Sequence, residues 1–174
     1  TGTIRRDGSS RFGTNNLWGV FPSVAAGWIL TNEKFMQNSK IFDLAKIRAS
    51  YGTTGSNFIG DFTSKASLTS VNYSFGTTPV VGFTNNDPGN PDLSWEKSNQ
   101  TDIGADLGLF NRASVTFDYF NSISKGLLLA VNVPPSTGYG SNLQNIGSMK
   151  KWGYEATVNV NVIKQKDFGW DVGF

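Results

Sequence analysis

The sequence predicts an all-β fold of antiparallel, up-and-down strands, each with one apolar and one polar face. The clearest pattern runs from Leu93 to Lys125, which predicts two long strands joined by a tight turn at Asn111–Arg112. Between Thr101 and Leu109, alternate residues are apolar and the residues between them are aspartate or glycine. Successive strand residues point to opposite faces, so these strands separate aliphatic and aromatic side chains from carboxylates. Long and short connections also alternate along the chain.

The first third of the chain predicts two strands and a helical turn. Thr1–Arg6 has the pattern of a strand end, and Asp7–Asn16 is a loop rich in turn-forming residues. Trp18–Leu30 has apolar even-numbered positions, although its proline removes one donor from the ladder. Within Thr31–Phe42, one helical turn is expected around Glu33–Gln37.

The next elements include the two long loops. A strand is expected over Ala45–Tyr51, because its apolar residues alternate with Lys, Arg and Ser. Gly52–Pro91 has no strong period and is expected to be a long loop, which is unusual inside a compact soluble domain. After the hairpin expected over Leu93–Lys125, a second long loop is expected over Leu127–Ser148.

The last elements form another hairpin. Tyr154–Val162 alternates valine with polar residues, a short turn is expected at Lys164–Asp167, and Phe168–Phe174 alternates again. The total is about seven strands. The chain starts and ends within strand patterns, so we expect a piece of a longer protein whose open edges do not close a barrel by themselves.

The alternation of connections predicts where the sheet lies. The expected long connections follow Arg6, Gly52 and Lys125, and the short ones follow Leu30, Phe110 and Ile163. This arrangement places long loops on one edge and short turns on the other, as in outer-membrane β-barrels with long extracellular loops and short periplasmic turns. Aromatic residues near strand ends fit two interfacial girdles: Trp28, Phe110, Phe168 and Trp170 beside the short turns, and Trp18, Tyr119 and Tyr154 nearer the loops. The alternative is a soluble β-sandwich whose polar face meets water.

Composition excludes several functions. A net charge of +2 is too weak to indicate nucleic-acid binding. The chain has no cysteine and no histidine, which removes thiolate metal sites, disulfides and the commonest general base. No apolar run is long enough for a transmembrane helix. No cofactor and no metal are predicted.

Five segments carry a recognisable pattern in their order and spacing. They are FPSVAAGW (21–28), KIRASYGTTGS (46–56), NPDLSWEKSNQTDIGADLGLF (90–110), VTFDYFNSISKGLLL (115–129) and NIGSMKKWGYEATVNV (145–160). They resemble the SusC/RagA-type TonB-dependent outer-membrane transporters of Bacteroidetes. Ser56 departs from the asparagine that this family often has after Thr-Gly.

The resemblance implies that residues 1–174 form part of a 22-strand barrel and contain no plug domain. It also implies an active importer of glycans or peptides in the outer membrane. Such an importer works with a SusD-like surface lipoprotein and is energised through TonB, by a part of the protein that cannot be placed on this chain. The alternatives are a β-rich surface binding or adhesion module and an outer-membrane enzyme.

Two groups of residues follow as site predictions. Charged residues are expected to face the lumen and hold the plug to the wall, with direct substrate contact as the alternative: Lys46, Arg48, Glu96, Asp102, Asp106, Asp118 and Glu155. Loop aromatics are expected to stack on substrate, with packing of their own loop or of the lipoprotein as the alternative: Phe62, Tyr73, Phe75, Phe83 and Tyr139, together with Phe58.

Two chemical sites are considered and disfavoured. Asp87, Asn90 and Asp92 offer oxygen ligands for calcium, but their spacing with nearby Pro and Gly favours a plain turn. Asp102 and Asp106 could form a glycosidase pair. They lie about 13 Å apart along an extended strand, beyond the roughly 5–9.5 Å that glycosidases use. Side-chain rotamers could narrow this distance. Because the chain also has no histidine or cysteine, catalysis is the weakest interpretation, and the chain is not predicted to be an enzyme.

Overall fold

The computed structural model describes all 174 residues, Thr1–Phe174, as eleven strands with two short 3₁₀ turns. The strands are β1 (Gly2–Gly8), β2 (Trp18–Ile29), β3 (Phe42–Ser56), β4 (Ser67–Phe75), β5 (Thr78–Asp87), β6 (Glu96–Leu109), β7 (Ala113–Lys125), β8 (Leu128–Asn132), β9 (Ser141–Asn145), β10 (Ser148–Lys164) and β11 (Gly169–Gly173). No helix in the structure is long and apolar enough to cross a membrane.

Seven of these strands form one antiparallel sheet in the order β1-β2-β3-β6-β7-β10-β11. Apart from two inserted hairpins, β4–β5 and β8–β9, the spatial order is the chain order, so the up-and-down prediction of about seven strands is confirmed. β1 and β11 are the outer strands and do not pair with each other, which leaves a sheet with two open edges, as predicted.

The two longest of the predicted loops, Gly52–Pro91 and Leu127–Ser148, each contain a hairpin that the sequence pattern did not predict. β3 continues to Ser56, and β4 pairs with β5 inside the segment expected to be irregular. β8 pairs with β9 inside the second one. Every residue of β4 is exposed. A hairpin that buries neither face needs no alternation of apolar and polar residues, which explains why periodicity missed it.

Long and short connections alternate along the chain as predicted, except for the first two connections, 9–17 and 30–41. Residues 57–95 and 126–147 make long connections, while 110–112 and 165–168 make short ones. The connection 30–41, expected to be short, is longer than 9–17, expected to be long, so that part of the prediction is wrong. Its extra length holds a 3₁₀ turn and the predicted helical turn, in which the Gln37 N–H donates to the Glu33 carbonyl at 3.1 Å.

The strand register assigns the two faces of the sheet. One row of laterally paired residues is Trp28, Ile47, Ala105, Phe117 and Ala156, and it defines the apolar face. The adjacent row includes Arg48, Gly104, Asp118 and Glu155 and defines the polar face.

No second layer of the chain covers the apolar face. Only ten residues are buried in the whole chain, whereas Trp28 is 54% exposed, Phe117 46% and Tyr154 64%. A soluble sandwich would bury these side chains between two sheets. The sandwich alternative is therefore wrong, because the structure lacks a dry interior behind this face.

The main buried cluster lies instead at the edge of the sheet that carries connections 9–17, 57–95 and 126–147, here called the long-loop edge. Trp95 contacts Phe12 and Phe21, with ring centroids 5.0 and 5.4 Å apart. Leu93 beside them is fully buried. This cluster anchors the loops on the strands, and it buries Leu93 and Trp95, the large apolar residues of the NPDLSW segment.

Candidate functional site: the polar face and the long-loop edge

The centre of the polar face is an ion-pair network that spans three strands. Arg48 on β3 reaches across β6 to Asp118 on β7, with Nη2 and Oδ2 2.7 Å apart. Its Nε lies 3.3 Å from the Asp106 carboxylate, which also lies 3.8 Å from Lys46 Nζ. Both carboxylate side chains are about one-quarter exposed, so water screens the pairs only partly. The network ties β3, β6 and β7 together on this face.

Gly104 makes this bridge geometrically feasible. It lies on β6 between Arg48 and Asp118 in the register. A Cβ atom at Gly104 would overlap the Asp118 carboxylate and lie 2.8 Å from Arg48 Cζ. Glycine at this position of β6 therefore has a packing reason, because it leaves space for the Arg48 side chain to cross to Asp118.

A second polar group lies nearer the long-loop edge. Asp102 accepts hydrogen bonds from Ser50 at 3.3 Å and from Gln100 at 2.9 Å. Farther along, Ser98 and Ser122 are hydrogen-bonded at 3.0 Å. These residues supply acceptors and donors at a solvent-accessible wall without burying an unpaired charge.

Between the two groups lies an open depression of about 620 Å³. It is lined almost entirely by polar side chains of both charges: Arg48, Ser50, Gln100, Asp102, Asp118, Phe120, Ser122, Lys151 and Glu155. Glu155 on β10 lies directly across from Asp118 in the register. Such a wall can bind a neighbouring polar surface by hydrogen bonds and ion pairs.

The seven charged residues predicted to face the lumen thus share the parity of the polar face. Six of them lie in the network or line the depression. The seventh, Glu96, pairs with Ser56 at the end of β6 and lies outside both groups. Whether this face contacts a plug stays a prediction.

The predicted loop aromatics are not brought together at one point. Tyr73 and Phe75 share one face of β4, while Phe83 lies on the opposite face of the same hairpin. Phe62 precedes the hairpin in a left-handed backbone conformation, 73% exposed, and Tyr139 follows the 3₁₀ turn Pro135–Thr137. Phe58 is almost fully exposed. All these rings are exposed except Tyr139, which is half-buried, and they are spread over both faces of the hairpin and the connections around it.

Sequence reasoning missed a clamp between two of the recognisable segments. Asn145, at the end of β9, accepts a hydrogen bond from the Ser94 N–H at 2.8 Å and donates one to the Ser94 carbonyl at 2.7 Å. Its amide also donates to the Gly126 carbonyl at 3.0 Å. Asn90 adds a bond to the Leu143 carbonyl at 2.9 Å. The Asn145 side-chain amide thus bonds the N–H and the carbonyl of Ser94, as a neighbouring strand would. Local periodicity gives no signal for a contact between residues so distant in sequence.

The residues considered for calcium form turns. Asp87 accepts a hydrogen bond from the Gly89 N–H at 2.8 Å, and Asn90 accepts one from the Asp92 N–H at 3.0 Å. This is the geometry of Asx turns, in which the side chain bonds to the backbone two residues on. The interpretation of this segment as a plain turn agrees with the structure.

The carboxylates considered as a catalytic pair have separate partners. Asp106 is bound to Lys46 and Arg48, whereas Asp102 is bound to Ser50 and Gln100. The two carboxylates share no partner, so the structure does not bring them together as a glycosidase pair.

Known proteins resemble the chain over its whole length. Residues 1–174 match the family described as "TonB dependent receptor-like, beta-barrel". TonB-dependent receptor P39 of Formosa agariphila is 40% identical over 175 aligned residues, which cover 100% of this chain and 17% of that protein. TonB-dependent receptor SusC of Bacteroides thetaiotaomicron is 36% identical, covering 100% of this chain and 18% of that protein.

One solved structure that the chain resembles is the RagAB peptide importer in its closed-closed state. It matches with a TM-score of 0.87 and 34% identity over 99% of this chain and 20% of the matched chain. The chain spans about one-fifth or less of the length of the relatives it matches. The resemblance to SusC/RagA-type proteins is thereby confirmed, and the chain belongs to the TonB-dependent receptor β-barrel family.

Proposed function

We propose that the protein to which this chain belongs is an outer-membrane importer, and that residues 1–174 supply about seven strands of its 22-strand barrel. The observation that carries the proposal is the two-faced sheet. An uncovered apolar face suits hydrocarbon, and a charged polar face suits a lumen filled with water or protein. The likeness to SusC and to the RagAB peptide importer supports this assignment.

The polar face would contact a plug domain encoded elsewhere in the protein. Its network is internally paired at Arg48, Asp106 and Asp118, so its main role is to hold the wall rigid. The depression beside it, with Lys151 and Glu155 on its rim, offers both charges to a plug surface. This arrangement favours a structural role over direct substrate contact.

The long-loop edge would face the outside of the cell and contact both substrate and a SusD-like lipoprotein. The β4–β5 hairpin projects Tyr73 and Phe75 from one face and Phe83 from the other. Exposed rings can stack on sugar or peptide groups, or pack against a protein cap. Two aromatic faces on one hairpin fit a segment that touches substrate on one side and the lipoprotein on the other.

The substrate class would be oligosaccharides or peptides, and uptake would be driven through TonB by a part of the protein outside this chain. The test is uptake of labelled oligosaccharides and peptides by cells that express the full-length protein with its lipoprotein. We expect uptake that stops when the proton gradient is dissipated. No uptake of either class, or uptake indifferent to the gradient, would contradict the proposal.

A matched set of variants tests the hairpin. We expect Tyr73→Ala and Phe75→Ala, which share a face, to change uptake in parallel, and Phe83→Ala to act differently because it lies on the other face. Phe168→Ala removes another exposed ring, at the opposite edge of the sheet, and should leave uptake unchanged. Four equal responses would count against the hairpin as the contact surface.

A further inference from the structure

A group of lysines lies on the apolar side of the sheet, at its long-loop edge. Lys97 on β6 lies directly across from Lys125 on β7, and both share the parity of Phe117 on the apolar face. Lys150 lies on the same face of β10, two residues after Ser148, which pairs with Lys125. All three side chains belong to exposed residues. We call these three residues the lysine triad.

The triad lies just beyond the apolar belt. Trp152 follows Lys150 by two residues on the same face, and Tyr154 comes next; both rings are more than 60% exposed. At the other side of the sheet, Arg6 lies over the Trp18 ring at 4.3 Å, also at the long-loop edge. Tryptophan and tyrosine favour the boundary between hydrocarbon and headgroups. The triad is therefore at headgroup level if this face is in a membrane.

The lysines have no anionic partner within the chain. The ion pairs in the structure involve Arg5, Arg11, Lys46 and Arg48, and none involves the triad. Like charges directly across a strand pair destabilise it. Each ammonium group also offers three donors and no acceptor. An external anion held among them would relieve the repulsion between Lys97 and Lys125.

We propose that the lysine triad binds the phosphate groups of lipid headgroups in the leaflet at the long-loop edge. Lys97 and Lys125 pair directly, so their side chains start about 5 Å apart, and Lys150 is the diagonal neighbour of Lys125 on the next strand, about 7–8 Å away. Lysine side chains are long and flexible, so the three ammonium groups can converge on one phosphate. Position selects lipid over free phosphate, because the triad adjoins the apolar belt and not the lumen. The inference rests on the proposed membrane location.

The test uses the full-length protein, folded in detergent, with diphosphoryl lipid A as the probe. Retained lipid is counted by native mass spectrometry. We expect each Lys→Gln change in the triad to weaken retention about fivefold, and the triple variant to lose it. Lys151→Gln is the matched control, because Lys151 adjoins Lys150 but points to the polar face. The triple Lys→Arg variant should retain lipid.

Three outcomes would overturn the inference. They are undiminished lipid retention in the triple Lys→Gln variant, an equal loss in Lys151→Gln, and full displacement of the lipid by millimolar inorganic phosphate. Dephosphorylated lipid A should bind no better to wild type than to the triple variant. If the triple variant does not fold, the single Lys125→Gln variant and the arginine variant give the same comparison. A wild-type protein that fails to insert into bilayers would contradict the proposed membrane location instead, so the two failures are distinguishable.

Discussion

The assignment of hydrocarbon to the apolar face can be tested by placing one arginine on either side of a single strand. Val158 on β10 pairs with Val115, which pairs with Leu107, so it belongs to the apolar face. Its neighbour Asn159 pairs with Ser114 on the polar face. Both residues lie on β10, pair with β7 and have nearly the same depth, but their side chains point to opposite faces of the sheet.

The depth of Val158 follows from strand geometry. It lies six residues beyond Trp152 along β10, or about 20 Å at roughly 3.4 Å per residue. A strand tilted by about 35–45° converts this to a depth of about 15 Å below the aromatic level. That depth is about half of the roughly 30 Å hydrocarbon thickness. Val158→Arg therefore puts a cation near the midplane, at a cost of about 2–4 kcal/mol in the free energy of unfolding.

Asn159→Arg should cost less than about 1 kcal/mol, because its side chain enters a polar, solvated space. The assay is folding of the full-length protein into lipid vesicles across a urea series, with the folded fraction read by mobility on unheated gels. Val160→Arg has the same parity as Val158→Arg and should be penalised for the same reason. Equal penalties at 158 and 159, or a larger one at 159, would refute the assignment of faces.

Three further predictions concern the polar face and the loop anchors. Gly104→Ala should destabilise the folded protein by about 1 kcal/mol, because its methyl group displaces the ion pair beside it, whereas Gly27→Ala meets only ordinary contacts and should be neutral in the same urea titration. Asn145→Ala should lower the free energy of unfolding by about 1–3 kcal/mol and speed proteolysis of the loops, because it leaves the Ser94 N–H and carbonyl without their hydrogen-bond partner. Asn142→Ala is the control and should have neither effect, because the side-chain oxygen of Asn142 has no partner. Leu93→Ala should cost about 2–5 kcal/mol by leaving a cavity in the loop anchor, and unchanged stability would show that the cluster can collapse around the deletion.

The faces of the strands could be predicted because a sheet with one apolar and one polar face imposes a strict two-residue period. In β6 the residues of one face are apolar and those of the other are polar or small, so Asp102, Gly104 and Asp106 mark one face without any knowledge of partners. The same rule gave the number of strands in the sheet. It failed for β4–β5, because a hairpin with both faces in solvent is under no such constraint.

Contacts between distant segments could not be predicted from the sequence. The pairing of Arg48 with Asp118 depends on the register of β3, β6 and β7, and a slip of one residue would place the two side chains on opposite faces. The Asn145 clamp on Ser94 depends on how two loops fold back over one another. Neither contact leaves a local signal in the sequence.

The chain by itself determined an all-β sheet with one apolar and one polar face, because side-chain alternation is a local property of each strand. Only the tertiary structure decided which charges meet, where the loop anchor forms and which lysines come together at the rim. Those features depend on register and on contacts between residues far apart in sequence, which periodicity does not encode.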